Sequence, residues 1–111
     1  MARYVISNFN AGNFEKITVA GTSIGITSTL YTKDAGGGKV THASSVFLSI
    51  ETESVRIRWD GGAPTSTDGH LLVAGDSIEI EGRGNVRNLR MIRITNSATA
   101  HVTVHYDPTI Q

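Results

Sequence analysis

Nine residues near the C-terminus, Ala98-Thr99-Ala100-His101-Val102-Thr103-Val104-His105-Tyr106, place a small or apolar side chain at every even position and a polar one at every odd position. Successive side chains of an extended chain point to opposite faces, so this run suits a strand with one dry and one wet face. Wound into a helix, the same residues would scatter their apolar groups around the axis. A slip of one residue in pairing would turn the whole apolar set to water, so the run also demands neighbours in a fixed register.

Two further segments repeat the pattern. Val55-Arg56-Ile57-Arg58-Trp59 directs both arginines outward, and Ser77-Ile78-Glu79-Ile80-Glu81 directs both glutamates outward. Phe14 to Ala20, Ile24 to Tyr31, Val46 to Glu51, Leu71 to Val73 and Met91 to Thr95 are strand candidates on their content of β-branched residues. Between them stand Ala11-Gly12-Asn13, Gly21-Thr22-Ser23, Asp34-Ala35-Gly36-Gly37-Gly38, Asp60-Gly61-Gly62-Ala63-Pro64, Ala74-Gly75-Asp76 and Gly82-Arg83-Gly84-Asn85. Each supplies Gly, Asn or Asp where a turn needs positive φ. No segment keeps a helical period for three turns, although Asn85 is placed to cap one short turn through Val86 and Leu89.

The expectation is an all-β, single-domain antiparallel β-sandwich, jelly-roll-like or a partly open barrel, with about eight short strands. Residues 14–111 form that domain. Residues 1–13, with Tyr4, Val5, Ile6 and Phe9 set among Asn8, Asn10, Gly12 and Asn13, form either a first edge strand or an arm laid on a neighbouring subunit. The expected core is the even-numbered set from Ala98 to Tyr106 with Val55, Ile57, Trp59, Ile78 and Ile80. Gly36-Gly37-Gly38 reads as a flexible connection or as a docking loop that orders on contact.

Composition narrows what such a domain does. At 111 residues with 39% apolar and 18% charged residues, the chain can build one core and is expected to remain in water. Ten basic and ten acidic residues cancel, which removes the broad positive field that steers nucleic-acid binders, so no nucleic acid is expected as a partner. The absence of cysteine excludes a disulfide framework, a thiolate nucleophile and Cys-ligated zinc. The first eight residues hold too short an apolar stretch for a secretory segment. No run approaches the ~20 apolar residues of a membrane helix, so no membrane partner is expected.

Motifs for chemistry fail on spacing. Gly36-Gly37-Gly38-Lys39-Val40-Thr41 carries Val40 where a phosphate-binding loop needs Ser or Thr, and Lys33 where it needs Gly. His101 and His105 share a strand face but stand ~13 Å apart, too far to bind one ion together; His42 and His70 read as solvated strand histidines with them. Asp60, Asp68, Asp76 and Glu79 lack calcium-loop spacing and read as turn formers. No hydroxyl lies in a Gly-x-Ser-x-Gly elbow. No catalytic, cofactor-binding or metal-binding residue is assigned, and no enzyme activity is expected.

One charge cluster remains. Arg83, Arg87, Arg90 and Arg93 lie within eleven residues, with Arg56 and Arg58 on a strand that could adjoin them. Either they pair across strands with Glu51, Glu53, Glu79 and Glu81, or they form a patch that docks on an acidic protein surface or on DNA phosphate, the protein being favoured because the net charge is zero. Trp59 and Tyr106 fall on dry strand faces, which favours core packing over a sugar-binding platform.

The stretch from Val55-Arg56-Ile57-Arg58-Trp59-Asp60-Gly61-Gly62-Ala63-Pro64-Thr65 through Gly69-His70-Leu71-Leu72 and Ala74-Gly75-Asp76-Ser77, closing with His101-Val102-Thr103-Val104-His105-Tyr106, resembles a group of small virion proteins of tailed bacteriophages. The resemblance covers the C-terminal half; residues 1–45 take no part in it. It implies a non-enzymatic structural role in the virion, assembled in the host cytoplasm. The specific expectation is a capsid decoration or cement protein bound to the major capsid protein, or to another virion protein, as a homo-oligomer, with a trimer as the guess. A head-to-tail connector, a tail or baseplate accessory, and a carbohydrate-binding module are the alternatives. Expected docking residues are Arg83, Arg87, Arg90, Arg93, Gly36, Gly37, Gly38, Tyr4 and Phe9.

Overall fold

A computed structural model describes residues 10–36 and 39–106. Its strands are β1 (Asn10–Val19), β2 (Ile24–Gly25), β3 (Thr32–Gly36), β4 (Lys39–His42), β5 (Ser45–Glu51), β6 (Val55–Arg58), β7 (His70–Leu72), β8 (Ser77–Glu81), β9 (Arg90–Arg93) and β10 (Ala98–Tyr106), with one short helix, α1 (Arg83–Asn88). The fold is all-β. A first antiparallel sheet has the order β1-β10-β5-β8, a second has the order β2-β9-β6-β7, and β3 pairs with β4 as a separate hairpin.

The alternating run occupies the middle of the first sheet. Every even residue of β10 is buried and every odd one is half-exposed. Its register sets Ala100, Val102 and Val104 opposite Ile50, Leu48 and Val46 of β5, so the inward residues of the two strands meet on one face. These join Val55, Ile57 and Met91 of the second sheet in one apolar cluster, which both sheets therefore share. Removing such side chains from water contributes about 1.5 to 3 kcal/mol each before entropy is charged against it.

β1 begins at Asn10 and continues past residue 13, with a bulge between Ala11 and Phe14. Gly12 sits at that bulge beneath the Tyr106 ring, where a Cβ atom would collide with the ring carbons. Tyr106 itself reaches the other way and donates its hydroxyl to the Leu30 carbonyl at 2.8 Å. Tyr4, Phe9, Gly37 and Gly38 lie outside the described residues.

Several expectations need correction. Of Ile24–Tyr31 only Ile24–Gly25 is strand. Beyond it the chain turns, with the Leu30 amide donating to the Thr27 carbonyl and the Thr32 hydroxyl to Ser28. Asp34, Ala35 and Gly36, expected as part of a loop, belong to β3, which pairs with β4. The short helix begins at Arg83 behind Gly82, with no side-chain cap, so Asn85 is not its cap. Asn85 lies inside the helix and donates from Nδ2 to the Glu81 carbonyl. Trp59 and Ile78 are only partly buried against the core. Trp59 lies one residue beyond the last paired residue of β6, where the sheet no longer covers both its sides.

Candidate docking face and its flanking hollows

In β6 the buried residues are Val55 and Ile57, so Arg56 and Arg58 share the opposite, outer face. Register places Arg56 between Leu71 of β7 and Ile92 of β9, and sets Arg58 directly across from Arg90. Directly opposed residues carry their side chains on the same face, so the second sheet presents Arg56, Arg58 and Arg90 together with Leu71 and Ile92. Leu71 is 48% exposed.

The strands of this sheet contain Arg56, Arg58, Arg90 and Arg93 and no carboxylate. Those of the first sheet contain Glu15, Glu51, Glu79 and Glu81, with Lys16 as their one Lys or Arg side chain. A chain of zero formal net charge is thus divided into a cationic sheet and an anionic one.

The arginine cluster read from the sequence does not form one patch. Arg83 and Arg87 lie on α1, which packs on β5 and β8 at the end of the first sheet. Arg90 and Arg93 lie on β9, but Arg93 pairs with Val55 and so has inward parity, whereas Arg90 faces out. A spacing that would align these residues on a helix is broken where helix gives way to strand at Leu89. The expected adjacency of Arg56 and Arg58 to Arg90 is present through the β6-β9 pairing.

The expected pairing of these arginines with glutamates is absent among the described residues. Arg90 touches the Ser23 hydroxyl at 3.4 Å, and Arg93 that of Ser97 at 3.4 Å. Glu51 pairs with His101 at 2.8 Å, and Glu53 accepts from Asn96 at 3.0 Å. The glutamates of β5 and β8 belong to the other sheet, so topology separates them from Arg90.

One arginine of the face is neutralised locally. Arg58 clamps Asp60 with two hydrogen bonds, Nε to Oδ1 at 3.0 Å and a terminal nitrogen to Oδ2 at 2.7 Å. That hydrogen bond, helped by the Gly62 amide, lowers the Asp60 carboxyl from its ordinary 3.8 to about 2, and it raises Arg58 in turn. The following loop closes as the sequence suggests, with the Thr65 hydroxyl accepting from the amides of Thr67 and Asp68 at 3.3 and 2.9 Å. Pro64 is buried beneath it. Gly69, at φ 133°, passes so close to the sheet that a Cβ would lie 3.2 Å from the Arg56 Cβ.

Two open hollows flank the face. One, of about 560 Å³, is lined by Arg58, Trp59, Asp60, Asp68, Gly69 and His70. In its wall the Trp59 and His70 rings stack with centroids 4.8 Å apart and planes 25° apart. The other, of about 410 Å³, lies between Arg56, Leu71 and Ile94 on one side and Thr52, Glu53 and Ser54 on the other. Arg56 donates to the Gly69 carbonyl at 3.2 Å, while its buried Nε lacks a protein partner.

The remaining histidines stay apart. His101 stacks on the exposed Phe14 ring at 5.7 Å, and the Nδ1 atoms of His42 and His105 are buried without protein partners. Among the described residues no group of three His, Asp or Glu side chains could hold a metal ion. Gly36 ends β3, in a hairpin that is not part of the arginine-bearing sheet.

Sequence reasoning missed the Trp59–His70 stack. Its signal was present: Trp59 precedes the Asp60-Gly61 turn, and His70 follows Gly69 at the strand that returns. No family model, curated protein or solved structure matches this chain.

Proposed function

We propose that this chain is a non-enzymatic structural protein of a tailed-phage particle, a decoration protein that binds the assembled head. The arginine face of the second sheet supplies the contact. The observation that carries this reading is the juxtaposition of Arg58 and Arg90 across β6 and β9, in a sheet without a carboxylate of its own. Like charges directly opposed on a sheet are destabilising, and among the described residues a carboxylate pairs with Arg58, through Asp60, and none with Arg90. An acidic surface on the capsid protein would complete the set by accepting from Arg90 and Arg56, while Leu71 and Ile92 supply apolar area between the charges.

The resemblance of residues 55–77 and 101–106 to small virion proteins supplies the particle. Decoration then works by repetition: a homo-oligomer, a trimer in this reading, engages several capsid subunits at once, and modest contacts per copy sum to stable coverage.

Co-sedimentation with shells lacking the protein tests this reading. The expected result is saturable binding at a fixed ratio to capsid subunits, weakened by salt, and reduced about tenfold or more in Arg90→Glu while the fold is retained. No binding, or salt-insensitive binding that Arg90→Glu leaves intact, overturns it. A ring-sized oligomer that ignores shells would point to a head-to-tail connector.

A further inference from the structure

The hollow beside the docking face has a chemistry of its own. Trp59 is the chain's single tryptophan. It rests partly on the core, and the exposed His70 ring stacks on it. The stack is held by the sheet, because His70 pairs with Ile57 in register and so stands next to the strand end that carries Trp59. The result is a fixed aromatic wall with one side in solvent.

Around that wall stand polar groups already set in place. The Asp60 carboxylate is fixed by Arg58 and by the Gly62 amide at 3.2 Å. Asp68 is tethered through Thr65, whose hydroxyl lies 3.2 Å from its Oδ2. Arg58 uses three N–H groups internally, two on Asp60 and one on the Ala63 carbonyl. A guanidinium has five, so two remain for a ligand.

We infer that the hollow lined by Trp59, His70, Arg58, Asp60 and Asp68 is a binding site for a neutral saccharide. A sugar ring presents an apolar face of C–H groups and a rim of hydroxyls that both donate and accept. The aromatic wall matches the first, while two carboxylates and a guanidinium match the second. The formal charges of these three groups sum to one negative, which disfavours phosphate, carboxylate and nucleic-acid ligands. The absence of a three-ligand His/Asp/Glu group among the described residues argues against a bound metal as the occupant. At about 560 Å³ the hollow falls within the range occupied by small-molecule ligands.

This site goes beyond shell docking while sharing Arg58 with the arginine face: the second sheet holds the particle while its neighbouring loop reads a glycan. Because Trp59 is the sole tryptophan, its emission reports this hollow alone. The experiment is an array of neutral hexose, deoxyhexose and N-acetylhexosamine glycans, with sialylated and phosphorylated glycans as charged comparisons. Fluorescence titration with the strongest array ligand follows. Saturable binding to neutral glycans is expected, with a shift in Trp59 emission. His70→Ala and Asp68→Ala should each weaken it about tenfold or more, with unchanged circular dichroism. Both residues are exposed, so these variants keep the test clear of the core contacts that Trp59→Ala would disturb. The array and the titration use the free protein without shells, which separates this site from shell docking. A silent array, preference for charged glycans, or unchanged affinity in both His70→Ala and Asp68→Ala overturns the inference.

Discussion

The two sheets share one core and differ in almost everything else. Strands of the first sheet are 10, 9, 7 and 5 residues long, whereas those of the second are 2, 4, 4 and 3. The first carries the glutamates and the longest alternation; the second carries the arginines, the looped strand ends and both flanking hollows. Long paired strands bury a continuous row of side chains and need few special residues at their ends. Short strands leave much of their backbone in turns, and turns are where polar groups can be held in fixed positions without belonging to a ladder. The longest buried rows and the polar groups held at strand ends therefore lie in different sheets.

The largest effect that tests this division is the contrast between two leucines. Leu48 lies fully buried at the centre of β5, while Leu71 on the second sheet is 48% exposed. Leu48→Ala should cost about 2 to 5 kcal/mol in denaturant unfolding, and Leu71→Ala less than about 0.5 kcal/mol. Equal losses would erase the distinction. A smaller effect sits on the connection from β5 to β6, where Thr52 adopts φ 73°. A β-branched residue is strained there, and Thr52→Gly should stabilise the protein by about 0.5 to 1 kcal/mol. A loss of stability on the same assay would mean that its side chain contributes more than the strain costs.

The smallest effect is acid sensitivity confined to the second sheet. Folding lowers the Asp60 carboxyl from 3.8 to about 2, chiefly through the hydrogen bond from Arg58. A depressed carboxyl gives stability that is present above the unfolded value and fades as pH falls from about 4 toward 2. Asp60→Asn should therefore flatten that part of the stability profile in chemical denaturation. An unaltered profile would show that the clamp does not outlast solvent screening.

How much of this was legible follows from the same contrast. Strict alternation in β10, and the matching runs in β6 and β8, identified the core residues Val102, Val104, Val55, Ile57 and Ile80, because a period of two leaves one choice of buried face. The segment from Ile24 to Tyr31 misled because β-branched content signals strand even where turn hydrogen bonds win. The end of β3 was hidden because Asp34, Ala35 and Gly36 suggested a turn. Four arginines within eleven residues suggested one patch, and the change from helix to strand at Leu89 and the alternate parity of β9 separate them. The arginine face depends on which strand lies beside which: Arg58 and Arg90 are 32 positions apart in sequence yet opposite in register. The turn from Asp60 to Pro64 was legible through its glycines, but its partnership with Trp59 and His70 requires β7 to return beside β6.

The most direct test of the divided sheets is hydrogen exchange measured on the free protein and on the protein bound to phage shells. In the free protein β10 and β5 should exchange slowest, since they lie at the centre of the first sheet. On binding, new protection should appear at Val55–Arg58, His70–Leu72 and Arg90–Arg93, the strands of the arginine face, with little change in β1 and β8. New protection confined to the first sheet, with those three strands unaltered, would contradict the account.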